Sequence, residues 1–197
     1  MKSLKTRFGL YIIAFFGFWM FMIFSESCNI EKEGNKIKIE KKVSEAEVIA
    51  AQKAWGVGVI GIGVAYASGG DYREMAKQHV EKFYGYDLGK VLFKPTMAAE
   101  KQFRQTYDGA LSYFIGDNPA FPEDKGFALN RWTDVRFENA GIINSDSDLA
   151  IAMGNYYFTD ESGQEMKVEF TICYRKNDQG DLKIIAHKSS LPYTVET

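Results

Sequence analysis

Polar side chains that could carry out chemistry are concentrated near the C-terminus, in the segment HKSSLP at residues 187–192. The segment has the alternation of a β-strand, which places His187 and Ser189 on one face. Lys188 and Ser190 then lie on the opposite face. A histidine beside a serine suggests nucleophilic catalysis, but no nucleophile elbow or oxyanion loop accompanies them, which argues against a hydrolase. The structural alternative is that the hydroxyl groups satisfy backbone groups where the strand ends at a proline.

A metal site that activates water needs about three protein ligands and one open coordination position. After the N-terminal region the sequence offers His79, His187 and Cys173 as nitrogen and sulfur ligands. The predicted elements place these residues on a helix and on two different strands. A zinc site would require all three, or carboxylates, to converge, so we expect no metal and no other cofactor.

A second motif, G-x-G-x-x-G at residues 56–61, has the form of a dinucleotide-binding fingerprint. Such a fingerprint follows a strand and opens the helix of a βαβ unit. Here it lies inside a run in which apolar residues recur at steps of three and four, as in a helix. We therefore interpret the glycines as positions where a helix lies close against a sheet, and not as a nucleotide site.

The elements that must position these residues begin with helices. Ser44 and Glu47 have the form of a capping box that opens a long amphipathic helix. The apolar face of this helix consists of Val48, Ala51, Trp55, Val59, Ile62 and Tyr66. Asp71 can cap a second helix, which carries His79. Further helical stretches are predicted up to about Arg104 and through residues 110–114.

From Trp132 onward the periodicity of apolar residues changes to two, which is typical of strands. Turn sequences divide this part into four predicted strands, at residues 135–143, 149–158, 166–174 and 182–190. Helices followed by an antiparallel meander predict an α+β domain in which N-terminal helices pack on one side of a curved antiparallel sheet.

The N-terminus has the features of an export signal. Basic residues precede an apolar run at residues 8–24, which is long for a signal peptide and slightly short for a membrane span of about twenty residues. Cys28 then resembles the lipidated cysteine of a relaxed bacterial lipoprotein site, although Glu26 departs from the usual pattern. An uncleaved anchor and a plain signal peptide are the alternatives.

These features predict three regions. Residues 1–27 are a signal peptide or membrane anchor, residues 28–42 a charged stalk, and residues 43–194 a single folded domain. We expect an exported, membrane-anchored protein, periplasmic or at the cell surface. The formal net charge of −2 offers no attraction to nucleic acid.

Several stretches resemble the iota-class carbonic anhydrase group of the NTF2-like superfamily, which includes SnoaL and the calcium/calmodulin kinase association domain. The stretches are YGYD (84–87), VLFKPT (91–96), GALSYF (109–114), DKGFA (124–128) and MGNYYF (153–158). The similarity runs from about Val43 to Tyr193. It implies a cone-shaped fold, frequently a homodimer, with a pocket between the concave face of the sheet and the helices.

The resemblance also implies a site for carbon dioxide and bicarbonate. The matching positions of the family's pocket are Thr96 and Ser190 for substrate binding, and Tyr113, Ser189 and His187 for catalysis. It implies reversible hydration of carbon dioxide to bicarbonate without a tightly bound metal. In this interpretation the serine and threonine hydroxyls hold the substrate oxygens. Tyr113 orients or partly deprotonates the water, and His187 exports the proton.

This sequence departs from the family pattern at Lys188, which stands where the family has the second of two adjacent histidines. A lysine cannot replace an imidazole that relays protons or hydrogen-bonds Tyr113 at neutral pH, because its reference pKa is near 10.4. If the imidazole has that task, activity is slow or absent. The alternative function is a non-catalytic NTF2-like module that binds a small ligand or oligomerises.

Overall fold

The computed structural model describes residues 42–144 and 147–195. Within these residues the chain forms three α-helices, one short 3-10 turn and five β-strands. In chain order the elements are α1 (Glu45–Ala67), α2 (Tyr72–Phe83), β1 (Leu92–Lys94), α3 (Tyr107–Ile115), the 3-10 turn (Phe127–Leu129), β2 (Trp132–Asn144), β3 (Leu149–Asp160), β4 (Glu165–Lys176) and β5 (Leu182–Ser190). The predicted signal or anchor at residues 1–27, the lipidation candidate Cys28 and all of the predicted stalk except Lys42 lie outside the described residues.

The first helix begins where the sequence predicts it. The Ser44 hydroxyl accepts a hydrogen bond from the Glu47 N–H at 3.3 Å, and the Glu47 carboxylate accepts one from the Ser44 N–H at 2.8 Å. This capping box satisfies N–H groups that the start of a helix leaves unpaired. The apolar face is confirmed at the centre of the helix, where Trp55 and Val59 are buried, whereas Tyr66 near its end is half exposed.

Two glycines of α1 allow neighbouring elements to approach closely. A Cβ atom on Gly56 would lie 3.0 Å from the Cβ of Val135 on β2, closer than most real Cβ contacts. A Cβ atom on Gly58 would overlap the ring of His79 on α2. The glycine motif therefore serves helix packing, as predicted, and it meets the second helix as well as the sheet.

Among the described residues, α1 is the one helix that is long and apolar enough to cross a membrane by length and composition alone. It packs against α2 and β2 and carries buried residues of the core. Its apolar composition is accounted for by this packing within the domain.

The sheet has the strand order β1-β5-β4-β3-β2. Strands β2 to β5 form the predicted antiparallel meander, and β5 has the predicted bounds. At one edge the predicted antiparallel sheet gains a fifth strand, β1, which pairs with β5 in parallel and places Phe93 opposite His187. No hairpin joins these two strands, since α3 and three strands intervene, so nothing forces them to run in opposite directions. The domain is α+β with a mixed sheet.

An aromatic core fills the space between the helices and the inner face of the sheet. Trp55 of α1 lies at its centre and stacks on Tyr156 of β3, with 6.1 Å between ring centroids. It also makes edge contacts with Phe114 of α3 and Phe158 of β3. Burial of each such ring contributes about 1.5–3 kcal/mol before entropy is counted. The helices thus cover one face of the sheet.

Residues 95–106 do not form the helix that is predicted to end near Arg104. The backbone N–H groups at residues 99–101 donate to the Glu123 carboxylate at 2.8 to 2.9 Å, in place of helical carbonyl groups. The Arg104 side chain is fully buried, and its guanidinium pairs with Asp124 at 2.6 Å. Charge pairing at long range therefore overrides the local helical pattern and holds this segment against the loop that follows α3.

Candidate active site

The site is built around two hydroxyl groups that the parallel edge of the sheet brings together. Thr96 follows β1 by two residues, and Ser189 lies near the end of β5, the strand with which β1 pairs. The Thr96 hydroxyl donates a hydrogen bond to the Ser189 hydroxyl at 2.9 Å. Ser189 is 2% exposed and lies on the inner face of β5, the face that it shares with His187 as alternation predicts.

Two tyrosines complete the cluster from other elements. Tyr113 of α3 accepts a hydrogen bond from the Met97 N–H at 3.4 Å, and its hydroxyl also contacts that of Thr96. Tyr156 of β3 reaches the hydroxyl groups of Thr96 and Ser189. Thr96, Tyr113, Tyr156 and Ser189 therefore form a four-hydroxyl cluster at the inner face of the sheet.

Both tyrosines of the cluster are neutral at physiological pH. Burial raises the pKa of Tyr156 to about 12, and it raises the pKa of Tyr113 further. A neutral phenol donates a hydrogen bond but is a poor base. Tyr113 is therefore suited to orienting a water molecule or a substrate oxygen, and the predicted partial deprotonation of water by Tyr113 is not supported.

His187 lies on the same face of β5 as Ser189, as predicted; this is the inner face, where aromatic rings enclose the imidazole. The Tyr84 hydroxyl lies 3.0 Å from its Nδ1, and the Tyr156 hydroxyl lies 3.5 Å from its Nε2. The imidazole is 2% exposed, and burial lowers its pKa to about 3, so the ring is neutral at pH 7. A neutral, enclosed ring is poorly placed for the predicted export of a proton to solvent, whereas it can orient Tyr156.

Ser190 and Lys188 lie on the other face of β5, away from the cluster. The Lys188 ammonium donates to the Ser190 hydroxyl at 2.6 Å, and that hydroxyl donates to the Glu169 carboxylate at 3.2 Å. The structure therefore does not bring the predicted substrate-binding residue Ser190 to the pocket. The side chain at position 188 also cannot contact Tyr113 from this face, whether it is lysine or histidine. The expected loss of activity through a missing hydrogen bond to Tyr113 therefore does not apply.

The residues considered for zinc do not converge. His79 is buried between α1 and α2 beside Trp55, where neither ring nitrogen has a hydrogen-bond partner and burial lowers its pKa to about 3. Cys173 is half-buried on the outer face of β4. In residues 42–144 and 147–195, no group of three or more His, Cys, Asp or Glu side chains is arranged to hold a metal ion.

A cavity lies beside the Tyr113 end of the cluster. Its volume is about 350 Å³, and it is lined by Tyr113, Met97 and the loop at residues 123–127. Lys125 in this loop is exposed, whereas Tyr113 is almost completely buried. A small molecule that enters here meets the Tyr113 side of the four-hydroxyl cluster.

Two residues of this site, Tyr84 and Tyr156, were not among the residues singled out from the sequence. Each belongs to a stretch that carried the family resemblance, YGYD and MGNYYF. For Tyr156 an additional signal was available, because alternation in β3 places it on the same inner face as Phe158. A pattern of this kind predicts that an aromatic residue is buried in the core. It does not predict the hydrogen-bond partners of its hydroxyl group, which come from other elements.

The fold defines an NTF2-like α+β domain, and the hydroxyl cluster is buried at the inner face of its sheet. A crystal structure assigned to a calcium/calmodulin-dependent protein kinase II association domain from Xanthomonas campestris shares this fold. It is 19% identical, with a TM-score of 0.53 and coverage of 78% of this chain and 96% of that one.

The family is shown by sequence. Residues 46–191 match the family described as metal-independent carbonic anhydrase, and the chain belongs to this family. A relative of that description from Nostoc sp. is 45% identical over 158 residues, which cover 79% of this chain and 77% of the relative. The crystal structure of a cyanobacterial iota-carbonic anhydrase complexed with bicarbonate is 44% identical, with a TM-score of 0.77, and covers 80% of this chain and 97% of that chain.

Proposed function

We propose that this protein catalyses the reversible hydration of carbon dioxide to bicarbonate and a proton in the pocket formed by Thr96, Tyr113, Tyr156 and Ser189. The observation that carries the proposal is the convergence of these hydroxyl groups, from separate elements, on one buried point. Membership in a family of metal-independent carbonic anhydrases and the likeness to a carbonic anhydrase that binds bicarbonate support it.

The chemical problem is to activate water without the help of a metal. Zinc lowers the pKa of bound water from 15.7 to about 7. Zinc acts on the attacking water, whereas hydrogen-bond donors can act on the carbon dioxide. They stabilise the same transition state because negative charge develops on the carbon dioxide oxygens as water attacks the carbon. Thr96 and Ser189 hold those oxygens, and Tyr113 orients the attacking water. The released proton passes to water in the cavity beside Tyr113.

His187 has a supporting role in this mechanism. Its imidazole touches Tyr156, which in turn touches the Thr96–Ser189 pair. Because the ring is neutral and enclosed, it orients the phenol and does not carry the proton to solvent. Ser190 and Lys188 take no part, since both side chains lie on the outer face of the sheet.

A pair of adjacent serines provides the sharpest test. Ser189→Ala deletes a hydroxyl from the cluster, and Ser190→Ala deletes one from the outer face of the same strand. In stopped-flow assays of the full-length protein in detergent, Ser189→Ala should lower kcat by about 10- to 1000-fold, as loss of a preorganised donor does. Ser190→Ala should stay within about twofold of wild type.

Three outcomes would decide against this proposal. Equal effects of the two serine substitutions would place the chemistry elsewhere. Loss of activity to a chelator, with recovery on adding zinc, would contradict hydration without a metal. Bicarbonate binding without turnover in the wild type would favour a non-catalytic small-ligand-binding module.

Export and tethering to a membrane belong to the same proposal. The basic start, the apolar run at residues 8–24 and Cys28 support a lipoprotein or an uncleaved anchor. Cell fractionation should recover the protein with membranes, and Cys28→Ala should abolish labelling with a palmitate analogue if the cysteine is lipidated. Wild-type protein in the cytoplasmic fraction would contradict export.

We also propose that the protein forms a homodimer. The outer face of β3 exposes Leu149, Ile151 and Met153 in a strip, and Thr171 and Cys173 lie beside it on β4. A second copy related by a two-fold axis would cover this strip. Sedimentation should show a dimer for the wild type and a monomer for Met153→Asp, and a monomeric wild type would contradict the proposal.

A further inference from the structure

A line of buried polar groups runs from α1 to the four-hydroxyl cluster. The Trp55 indole N–H donates to the Tyr84 hydroxyl at 3.3 Å, and that hydroxyl lies 3.0 Å from Nδ1 of His187. On the other side of the ring, Nε2 lies 3.5 Å from the Tyr156 hydroxyl, which reaches Ser189. Trp55, Tyr84, His187 and Tyr156 are each at most 5% exposed. Water therefore has little access to these side chains and cannot easily change the direction of the hydrogen bonds between them.

The direction of hydrogen bonding along this line follows from its first member. An indole nitrogen can only donate, so the Tyr84 oxygen accepts from Trp55. The Tyr84 proton then needs an acceptor, and Nδ1 of His187 is the partner within reach. If Nδ1 carried the proton instead, the Tyr84 hydroxyl would be a buried donor without an acceptor, which costs about 1–3 kcal/mol.

The same direction of donation continues from His187 through Tyr156 to Ser189. A neutral imidazole that accepts at Nδ1 carries its proton on Nε2 and donates it to the Tyr156 oxygen. The Tyr156 proton is then available to the hydroxyl pair of Thr96 and Ser189. Each hydroxyl in turn donates onward, so a donor at the end of the line remains for a substrate oxygen.

The geometry points to Trp55 and Tyr84 as positioning residues of the active site, which fix the tautomer of His187 and thereby make Tyr156 and the Thr96–Ser189 pair donate toward the substrate. This inference rests on the proposed carbonic anhydrase function. A line that ran the other way would present lone pairs to bicarbonate, an anion that needs donors. The two residues therefore act on catalysis from α1 and from the segment after α2, without touching the substrate.

His79 shows that such a network is not a general requirement of burial in this domain. Its imidazole is also buried and also contacts Trp55, yet both of its nitrogens lack hydrogen-bond partners. Burial alone therefore does not explain why both nitrogens of His187 have hydrogen-bond partners. They have them because His187 belongs to the line that leads to the four-hydroxyl cluster.

The test combines a tautomer measurement with kinetics on the full-length protein. The chain contains two histidines, so ¹⁵N-histidine labelling gives two imidazole patterns, which a His187→Gln variant assigns. Wild-type His187 should carry its proton on Nε2. Trp55→Phe removes the donor to Tyr84 and leaves a smaller aromatic ring, and Tyr84→Phe keeps the ring and removes the hydroxyl that joins Trp55 to His187. In both variants the Nδ1–H tautomer should become populated, and kcat should fall by about 10- to 100-fold with KM changed by less than about threefold.

Two tyrosines provide matched controls. Tyr86 stacks on Tyr84 and donates its hydroxyl proton to the Arg104 carbonyl at 2.7 Å, outside the line. Tyr174 is buried and its hydroxyl contacts Gln52. Tyr86→Phe and Tyr174→Phe should leave both the His187 tautomer and kcat near their wild-type values.

The inference is overturned by wild-type His187 protonated on Nδ1. It is also overturned if Tyr84→Phe changes only one of the two readouts or neither, because the effect must pass through the imidazole to the rate. If Trp55→Phe does not fold, Tyr84→Phe decides alone. A wild type without hydration activity refutes the proposed function, and the tautomer measurements still decide whether Trp55 and Tyr84 orient the imidazole.

Discussion

Acid should destabilise this fold well before its carboxylates lose their partners, because His79 and His187 are buried as neutral imidazoles. Burial lowers the pKa of each from 6.5 to about 3. Below pH 6.5 the unfolded chain binds a proton at each histidine, whereas the folded chain does not until about pH 3. The stability is therefore fully present above pH 6.5 and falls as the pH drops.

The size of the effect follows from the same values. Each imidazole changes the free energy of unfolding by about 1.4 kcal/mol per pH unit in this window, so the pair removes about 4 kcal/mol between pH 6.5 and pH 5. That is a large part of a typical stability of 5–15 kcal/mol. Glu123, whose pKa is lowered to about 2 by backbone N–H groups and Arg104, titrates below this window and does not contribute.

Urea unfolding at pH 7 and pH 5 measures this difference. His79→Leu is the informative variant, because the ring nitrogens of His79 have no partner to lose and an apolar side chain suits the site. The variant should lose about half as much stability as the wild type on acidification. If it loses as much as the wild type, or if wild-type stability is the same at both pH values, the burial argument is refuted.

Three further changes test other parts of the structure. Tyr156→Phe should lower kcat for hydration by about 10- to 1000-fold with little change in the urea midpoint, and an unchanged rate would remove Tyr156 from the site. Lys188→His should leave kcat within about twofold, since position 188 faces away from the pocket; a clear rise in stopped-flow rate would contradict this geometry. Arg104→Met should destabilise the fold by about 3–5 kcal/mol in urea titrations, because it leaves Asp124 buried and unpaired, and a loss below about 1 kcal/mol would count against a buried pair.

Elements governed by local pattern were predictable from the sequence. The capping box at Ser44, the meander of β2 to β5 and the bounds of β5 all follow from spacing between near neighbours. Alternation in β5 correctly placed Ser189 and Ser190 on opposite faces, but it did not indicate which face is buried. The resemblance assigned both serines to the pocket, and of the two Ser189 lies on the inner face of the sheet.

Elements governed by distant partners were not predictable. The segment before Arg104 has helical spacing, but its conformation is set by Glu123 and Asp124, about twenty residues further along the chain. The parallel pairing of β1 with β5 joins residues more than ninety positions apart, and it is this pairing that brings Thr96 to Ser189. A sequence pattern that is read locally contains neither contact.

The burial that removes strong bases from this pocket also makes its donors effective. Raising the pKa of Tyr156 keeps the phenol protonated, and lowering the pKa of His187 keeps the imidazole neutral, so every member of the line retains a proton to donate. Hydrogen bonds between such groups are stronger in a site from which water is excluded. The charge that needs stabilising, on the oxygens that become bicarbonate, is the same in hydration and dehydration. In the proposed mechanism, neutral and oriented donors therefore accelerate both directions, and no side chain of the cluster has to gain or lose a proton.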